Sequence, residues 1–225
     1  MGETFTAGVA FIVEGPTEEE FYKRYIVWAC ERHPGFFFAE ARDNGEVCYR
    51  VSNGVSSTLV KFMSMNSVSS IPSSAAWFLR SCVARHPRIP WEVFLAYDTD
   101  GHEGVICQAK PGDWTALRST IGAEARSVTD LAAETDIEDV MLLDLKGVLM
   151  FLGLPEDTPV PIGGKGKSKM KRLFRQVSVK NAYHEGSKAK PLIRALNMET
   201  IATRAGIPFA SIENALFSSN HPRGQ

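Results

Sequence analysis

Three carboxylates lie in two short segments, each of which directly follows a strongly apolar stretch. Glu14 comes after the run Ala7 to Val13, and Asp98 and Asp100 come after the run Trp91 to Tyr97. Such runs are typical of strands that are covered on both faces of a parallel sheet. Because functional groups gather at the carboxyl ends of these strands, we expect the three side chains to converge. Clustered carboxylate oxygens suit Mg²⁺, so the sequence predicts a divalent-metal site.

Each segment also has simpler interpretations. Glu14 alone fits a loop carboxylate, and the run Asp98-Thr99-Asp100-Gly101 alone fits a turn. The same run resembles the nucleophile motif of HAD-type phosphatases and the Asp-x-Asp of nucleotide-sugar transferases. The phosphatase motif normally lies on the first strand and has Thr or Val where His102 stands. The transferase interpretation leaves Glu14 unexplained, so the joint occurrence of the two segments favours one shared site.

Strands and helices alternate in the first part of the chain and must position these carboxylates. Pro16 suits the first turn of a helix, which continues to about Cys30. The run Phe36 to Ala39 indicates a further strand, whereas the mixed, Ser-rich segment Ser57 to Met65 predicts a helix. From Ile137 onward the pattern is helical.

This order of elements predicts an α/β fold with a Rossmann-like, mainly parallel sheet flanked by helices and a helical C-terminal extension. The predicted catalytic core spans residues 5–135 and the extension spans residues 136–220. The net charge of −1 gives no global basic signal. Four scattered cysteines, Cys30, Cys48, Cys82 and Cys107, predict neither a zinc site nor a disulfide framework. With no signal peptide and no apolar run long enough to cross a bilayer, we expect a cytoplasmic protein without membrane contact.

The two carboxylate segments together resemble a Toprim domain. The resemblance rests on the runs Phe11-Ile12-Val13-Glu14-Gly15-Pro16-Thr17-Glu18 and Leu95-Ala96-Tyr97-Asp98-Thr99-Asp100. The form VEGPTEEEFY is most similar to OLD-type nucleases and small stand-alone bacterial Toprim proteins, several of which belong to defence systems. The resemblance therefore implies a Toprim-like core and metal-dependent chemistry on phosphodiesters.

The resemblance also implies further site residues. Glu18 lies four residues after Glu14, at the spacing of a second metal-binding Glu in the OLD branch. Glu138 matches the Glu of an Ile-Glu pair at the start of a helix. An equally good interpretation is that this carboxylate only stabilises the helix, by interacting with the positive end of its dipole. Lys188 matches a late catalytic lysine. The implied catalytic residues are Glu14, Glu18, Asp98, Asp100 and Lys188, and the implied metal ligands are Glu14, Glu18, Asp98, Asp100 and Glu138.

A basic, glycine-containing segment spans residues 163–175. Pro161 stands where a P-loop needs a glycine, which argues against an ATP site. Contacts to phosphates supply most non-specific affinity for nucleic acids. We therefore expect a flexible basic loop that binds nucleic acid, with a solvated basic helix start as the alternative. Its predicted binding residues are Lys165, Lys167, Lys169, Lys171 and Arg172.

Together with the resemblance, these features predict a Mg²⁺- or Mn²⁺-dependent endonuclease that hydrolyses phosphodiester bonds of DNA or RNA. The OLD-type likeness implies a role in antiviral defence and a separate ABC-type ATPase partner that gates the activity, and we also consider a homo-oligomer. Two alternatives stay open. One is a HAD-like phosphatase that uses Asp98 and Asp100, and the other is a non-catalytic Toprim-like scaffold that binds a nucleic acid or a partner.

Overall fold

A six-stranded sheet is the centre of the part of the chain that the computed structural model describes, which comprises residues 5–65, 71–99, 111–178 and 182–217. Helices pack on both faces of this sheet, so the architecture is α/β. The strands are β1 (Ala7–Val13), β2 (Phe37–Asp43), β3 (Glu46–Ser52), β4 (Ser57–Ser64), β5 (Trp91–Asp98) and β6 (Ser127–Ala133).

The sheet has the strand order β2-β3-β4-β1-β5-β6. Strands β4, β1, β5 and β6 run parallel to one another, whereas β3 is antiparallel to both of its neighbours. Strand β1 lies inside the parallel part, and all seven of its residues are buried. Alternate residues of β1 point to opposite faces, which explains its uninterrupted apolar sequence. The carboxyl ends of β1, β5 and β6 consequently lie side by side.

The helices divide between the two faces of the sheet. Val9, Phe11 and Val13 of β1 face a core shared with α1 and the later helices, whereas Ala10 and Ile12 face a second core under α2 and α3. The α-helices are α1 (Pro16–Arg32), α2 (Ile71–Trp77), α3 (Pro111–Gly122), α4 (Ile137–Met141), α5 (Leu145–Leu152), α6 (Gly166–Val177), α7 (Lys190–Ala195), α8 (Met198–Arg204) and α9 (Phe209–Phe217). A π-helical segment, Phe78–Val83, follows α2.

The helix predicted around Ser57 to Met65 is wrong, because this segment forms strand β4. The buried charged residue Lys61 interrupts the apolar pattern that would indicate a strand. Lys61 is only 4% exposed, and its ammonium group donates to the Asp43 carboxylate and, at 2.7 Å, to the carbonyl of Ser81. The preceding hairpin turns at Asn44-Gly45, where both φ angles are positive, as tight hairpin turns require. The run Phe36 to Ala39 predicts part of β2, whereas β3 is absent from the expected elements.

Helices alone follow β6 in the described residues. Their apolar side chains, such as Leu149, Ile193 and Ile212, join the same core cluster as β1, so the extension and the sheet share one interior. The helical pattern expected from Ile137 onward is interrupted between α4 and α5 by a 3₁₀ turn, Leu142–Asp144. The boundary between a core and an extension at residue 135 stays a prediction. No helix in the described ranges is long and apolar enough to span a membrane.

Candidate functional site

Glu14 and Asp98 meet where the central strands β1 and β5 end. The N–H of Glu14 donates to the carbonyl of Ala96 at 2.9 Å, which prolongs the pairing of β1 with β5. The N–H of Asp98 in turn donates to Oε2 of Glu14 at 3.0 Å. The first-strand carboxylate is thus held by the backbone of its neighbour, beside the Asp98 side chain. The convergence expected for these two residues therefore occurs.

The third strand end brings two more carboxyl groups to the same place. Strand β6 pairs with β5 up to Asp98 and Ala133, and the chain then turns into α4. Asp136 is the N-cap of α4, and its Oδ1 accepts from the N–H of Asp139 at 2.8 Å. Glu138 lies in the first turn of α4 and is buried. Three neighbouring parallel strands therefore deliver carboxylates to one edge of the sheet.

These groups line a pocket of about 370 Å³, which we call the carboxylate pocket. A pocket of this size can hold a small molecule. Among the described residues, six acidic and two basic side chains face it. The acidic residues are Glu14, Glu18, Asp98, Asp136, Glu138 and Glu185, and the basic residues are Lys165 and Lys167.

The beginning of α6 closes one side of the carboxylate pocket. The N–H of Gly166 donates to Oδ2 of Asp139 at 2.9 Å, and the N–H of Lys167 donates to Oδ2 of Asp136 at 3.0 Å. A Cβ at position 166 would lie 2.1 Å from the backbone nitrogen of Asp139, so this close approach of two helix starts requires glycine. Because these amides already have acidic partners, the start of α6 is not an open phosphate cradle.

Burial and mutual repulsion raise the pKa values of the clustered carboxyl groups. Burial, together with the charges of Glu18 and Glu14, raises the pKa of Asp98 to about 9. Burial first, and then the charge of Glu138, raises the pKa of Glu18 to about 7. Burial likewise raises the pKa of Glu138 to about 7. At neutral pH we therefore expect Asp98 to be protonated and Glu18 and Glu138 to be partly protonated.

Two hydroxyl groups hold the walls of the pocket. Tyr183 is buried, and its O–H donates to Oε1 of Glu138 at 2.8 Å, a bond that lowers the pKa of Glu138 against the effect of burial. Thr17 accepts the N–H of Gly186 at 2.9 Å and so joins the start of α1 to the chain after Tyr183. By contrast, Oδ1 of Asp98 is buried and has no hydrogen-bond partner among the described residues.

The structure brings together Glu14, Glu18, Asp98 and Glu138 of the predicted site. Asp100 lies outside the described residues. Lys188 does not line the carboxylate pocket; it lies at an adjoining depression with Glu19, Glu20 and His184. Within the described ranges, no three His, Cys, Asp or Glu side chains are placed to hold one metal ion. A preformed three-carboxylate metal centre is thus not seen in that part of the chain.

The basic segment is a helix rather than the flexible loop that we expected. Lys165 precedes α6, and the other four predicted nucleic-acid-binding residues lie on it. Lys167 pairs with Glu185 at 2.7 Å, and Lys169 pairs with Asp139 at 2.7 Å. Lys171 and Arg172 face a separate pocket. The basic residues of this segment therefore line two different pockets rather than one continuous surface. Nucleic-acid binding stays a prediction.

Comparisons with known proteins find matches among solved structures but none among family models or curated proteins. The similar solved structures include a futalosine hydrolase mutant of Helicobacter pylori strain 26695, with 9% identity, 96% of this chain and 98% of that chain covered, and a TM-score of 0.27. They also include the MTAN of Helicobacter pylori, with 10% identity, coverages of 83% and 81%, and a TM-score of 0.22. A third is the 5′-methylthioadenosine/S-adenosyl homocysteine nucleosidase of Campylobacter jejuni, with 11% identity, coverages of 95% and 96%, and a TM-score of 0.23.

These findings correct the family assignment. The comparisons return nucleosidases where the motifs implied an OLD-type Toprim nuclease, so we give up that family, the nuclease activity and the role in antiviral defence. None of the three structures named above is a HAD-like phosphatase or a Toprim-like scaffold either. The physical reason is that carboxylates after parallel strands occur in many unrelated α/β proteins, so two short motifs do not identify one family. TM-scores this far below 0.5 transfer no activity from the nucleosidases to this chain.

Two site residues were not assigned a role from the sequence. Asp136 caps α4 and also holds the start of α6, and Tyr183 orients Glu138. The pattern Asp136-x-x-Asp139 is a helix-capping signal that could have identified Asp136. The contact of Tyr183 with Glu138 joins residues 45 positions apart, and no local pattern predicts it.

Proposed function

We propose that the carboxylate pocket is the active site of a hydrolase that uses its carboxyl groups as general acid and general base. The observation that carries this proposal is the meeting of Asp98 with Glu18 and Glu138 in one small pocket. Asp98 has a pKa of about 9, whereas Glu18 and Glu138 have pKa values of about 7. Near neutral pH the same pocket can therefore supply both a proton donor and a proton acceptor.

In this proposal Asp98 is the acid. With a pKa of about 9 its carboxyl group keeps its proton at neutral pH, and Asp98 lines the pocket in which the leaving group would lie. Glu138 is the base, because Tyr183 fixes its orientation. The Glu138 carboxylate takes a proton from water, the water oxygen attacks the substrate carbon, and Asp98 protonates the atom that leaves. Exchange with solvent then returns both groups to their starting states.

A glycosidic bond is the substrate class that such a pair serves best. Its cleavage needs a proton on the departing atom and a carboxylate that activates water or stabilises the positive sugar ring. The cluster of negative charge in the pocket would stabilise that ring. The volume of about 370 Å³ favours a small glycoside.

The test is a hydrolysis assay in EDTA with small glycosides and nucleosides, using the wild type, Asp98→Asn and Asp157→Asn. Asp157 is an exposed loop residue and serves as a matched control. We expect hydrolysis by the wild type and the control, and a loss of about 100-fold or more in Asp98→Asn, the usual worth of a general acid. Equal rates in all three proteins would contradict the proposal.

A second candidate is a Mg²⁺ or Mn²⁺ ion in the same pocket, and the partnerless Oδ1 of Asp98 favours it. Mg²⁺ commonly takes one or two carboxylates and completes its shell with water and substrate oxygens, so Glu14 and Asp98 would suffice to hold it. A bound ion would polarise the substrate or activate water. If activity appears only with added Mg²⁺ or Mn²⁺ and not in EDTA, this candidate replaces the first.

A further inference from the structure

A second pocket, of about 450 Å³, lies beside the carboxylate pocket and has the opposite charge. We call it the basic pocket. None of the described residues that line it is acidic, and they are Gly163, Gly164, Ser168, Lys171, Arg172 and Arg175. Ser168, Lys171, Arg172 and Arg175 follow the spacing of one helix face, so α6 presents them together.

The wall opposite α6 is held in place by Arg172. Its guanidinium donates to the carbonyl of Ile162 at 2.7 Å and to the carbonyl of Gly163. A Cβ at Gly164 would lie 3.2 Å from atoms of both Ser168 and Arg172, and its φ of +78° favours glycine. The loop is therefore fixed close to the helix, and the pocket is a built feature of the protein.

Lys171 and Arg175 supply the remaining positive charge. Both side chains are exposed, and they lie one helical turn apart on the rim of the basic pocket. Arginine and lysine donors at such spacing suit an anion with several oxygens, above all a phosphate. Arg172 adds charge while its donors hold the loop.

Ser168 joins the two sites because it lines both the carboxylate pocket and the basic pocket. A single ligand that passes over Ser168 would place one end among carboxyl groups and the other among cations. The two ends of such a ligand must differ in charge. One would be neutral or positive, and the other would be negative.

We propose that the basic pocket binds the phosphate group of the substrate whose reacting bond lies in the carboxylate pocket, so that the substrate is a phosphorylated small glycoside. This inference rests on the proposed function for the position of the reacting bond. The phosphate-binding part stands on the basic pocket alone.

The test measures binding without turnover. Ribose 5-phosphate and ribose are titrated by calorimetry into the wild type, the double variant Lys171→Ala/Arg175→Ala and the control Arg88→Ala/Arg126→Ala. The control removes the same charge from exposed positions outside both pockets. We expect the wild type and the control to bind ribose 5-phosphate more tightly than ribose. The Lys171/Arg175 variant should bind ribose 5-phosphate at least about tenfold more weakly, as one lost charge-assisted hydrogen bond implies.

Two outcomes would overturn the inference. One is equal affinity of the two double variants for ribose 5-phosphate, or no preference of the wild type for it over ribose. The other is tight binding of a single-stranded oligonucleotide without binding of ribose 5-phosphate, which would assign the basic pocket to a polynucleotide backbone. Ribose 5-phosphate has no glycosidic bond to cleave, so its binding is measured independently of turnover. Phosphate binding without any hydrolase activity would refute the proposed function and leave only the phosphate-binding part of this inference standing.

Discussion

At the scale of single residues, burial and mutual repulsion determine how readily the carboxyl groups of the carboxylate pocket lose their protons. Glu14 and Asp98 could be predicted because an apolar strand precedes each of them, and parallel strands end at a common edge. The raised pKa of Asp98 could not be predicted, because a pKa depends on burial and on neighbours far apart in the chain. Asp136 and Tyr183 take part in the site through tertiary contacts that local motifs do not record.

Asp98 should make the protein less stable as the pH rises. Its pKa of about 9 in the folded state exceeds the value of about 4 expected for an unfolded aspartate. Between these values the folded state holds a proton that the unfolded state has lost, so the free energy of unfolding falls as pH increases. Asp98→Asn should therefore be more stable than the wild type at pH 8, by about 2 kcal/mol or more, and the difference should shrink towards pH 5.

Denaturant unfolding in EDTA at pH 5 and pH 8 measures this difference. The control Asp157→Asn changes an exposed carboxylate in the loop before α6 and should show no pH-dependent gain. A stability difference between Asp98→Asn and the wild type that is the same at both pH values would show that Asp98 is an ordinary ionised aspartate.

The hydrogen bond from Tyr183 to Glu138 should influence the pH below which activity is lost. This bond favours the ionised form of Glu138, so Tyr183→Phe should raise the pKa of that carboxyl group further. We expect the acidic limb of kcat against pH to move to higher pH, with a loss of about 1–2 kcal/mol in the free energy of unfolding. A lower stability with an unmoved pH profile would reduce Tyr183 to a packing role.

At the scale of elements, apolar pattern decided which segments were predicted correctly. Strands β1 and β5 were found because both of their faces are buried. Strand β4 was mistaken for a helix, because its buried Lys61 breaks the pattern and is tolerated only through partners on β2 and the π-helical segment. Helix α6 was predicted as a flexible basic loop, since its first residues are held by Asp136 and Asp139 rather than by a local cap that the sequence would show.

The contact between α4 and α6 should fail if Gly166 gains a side chain. In Gly166→Ala the new Cβ would overlap the Asp139 backbone nitrogen and the Asp136 carboxylate, so α6 must move away. We expect a loss of about 1–3 kcal/mol in stability, as for other overpacked sites, together with reduced activity.

Gly206→Ala is the matched control for that change, because nothing lies within 4 Å of the position that its new methyl group would take and its backbone is unstrained. Thermal unfolding and the hydrolysis assay should distinguish the two variants. If Gly166→Ala were as stable and as active as Gly206→Ala, the close approach of α6 to α4 would have no bearing on the site.

At the scale of the whole molecule, the net charge of −1 is close to zero although the protein has two pockets of opposite charge. Ser168 lines both of them. Composition could not reveal this separation, because it averages over the surface. The α/β class with a mainly parallel sheet followed from the order of elements. The family did not follow, because carboxylates at strand ends are a property of α/β sheets in general rather than of one lineage. The predicted ATPase partner, homo-oligomer and cytoplasmic location stay predictions.

The most direct test of the proposed general acid is a ¹³C NMR titration of the carboxyl groups in metal-free protein, with the Asp98 signal assigned by its absence in Asp98→Asn. We expect that Asp98 titrates near pH 9, while Glu18 and Glu138 titrate near pH 7. Titration of Asp98 near pH 4, as in an exposed aspartate, would contradict the assignment of this residue as the general acid.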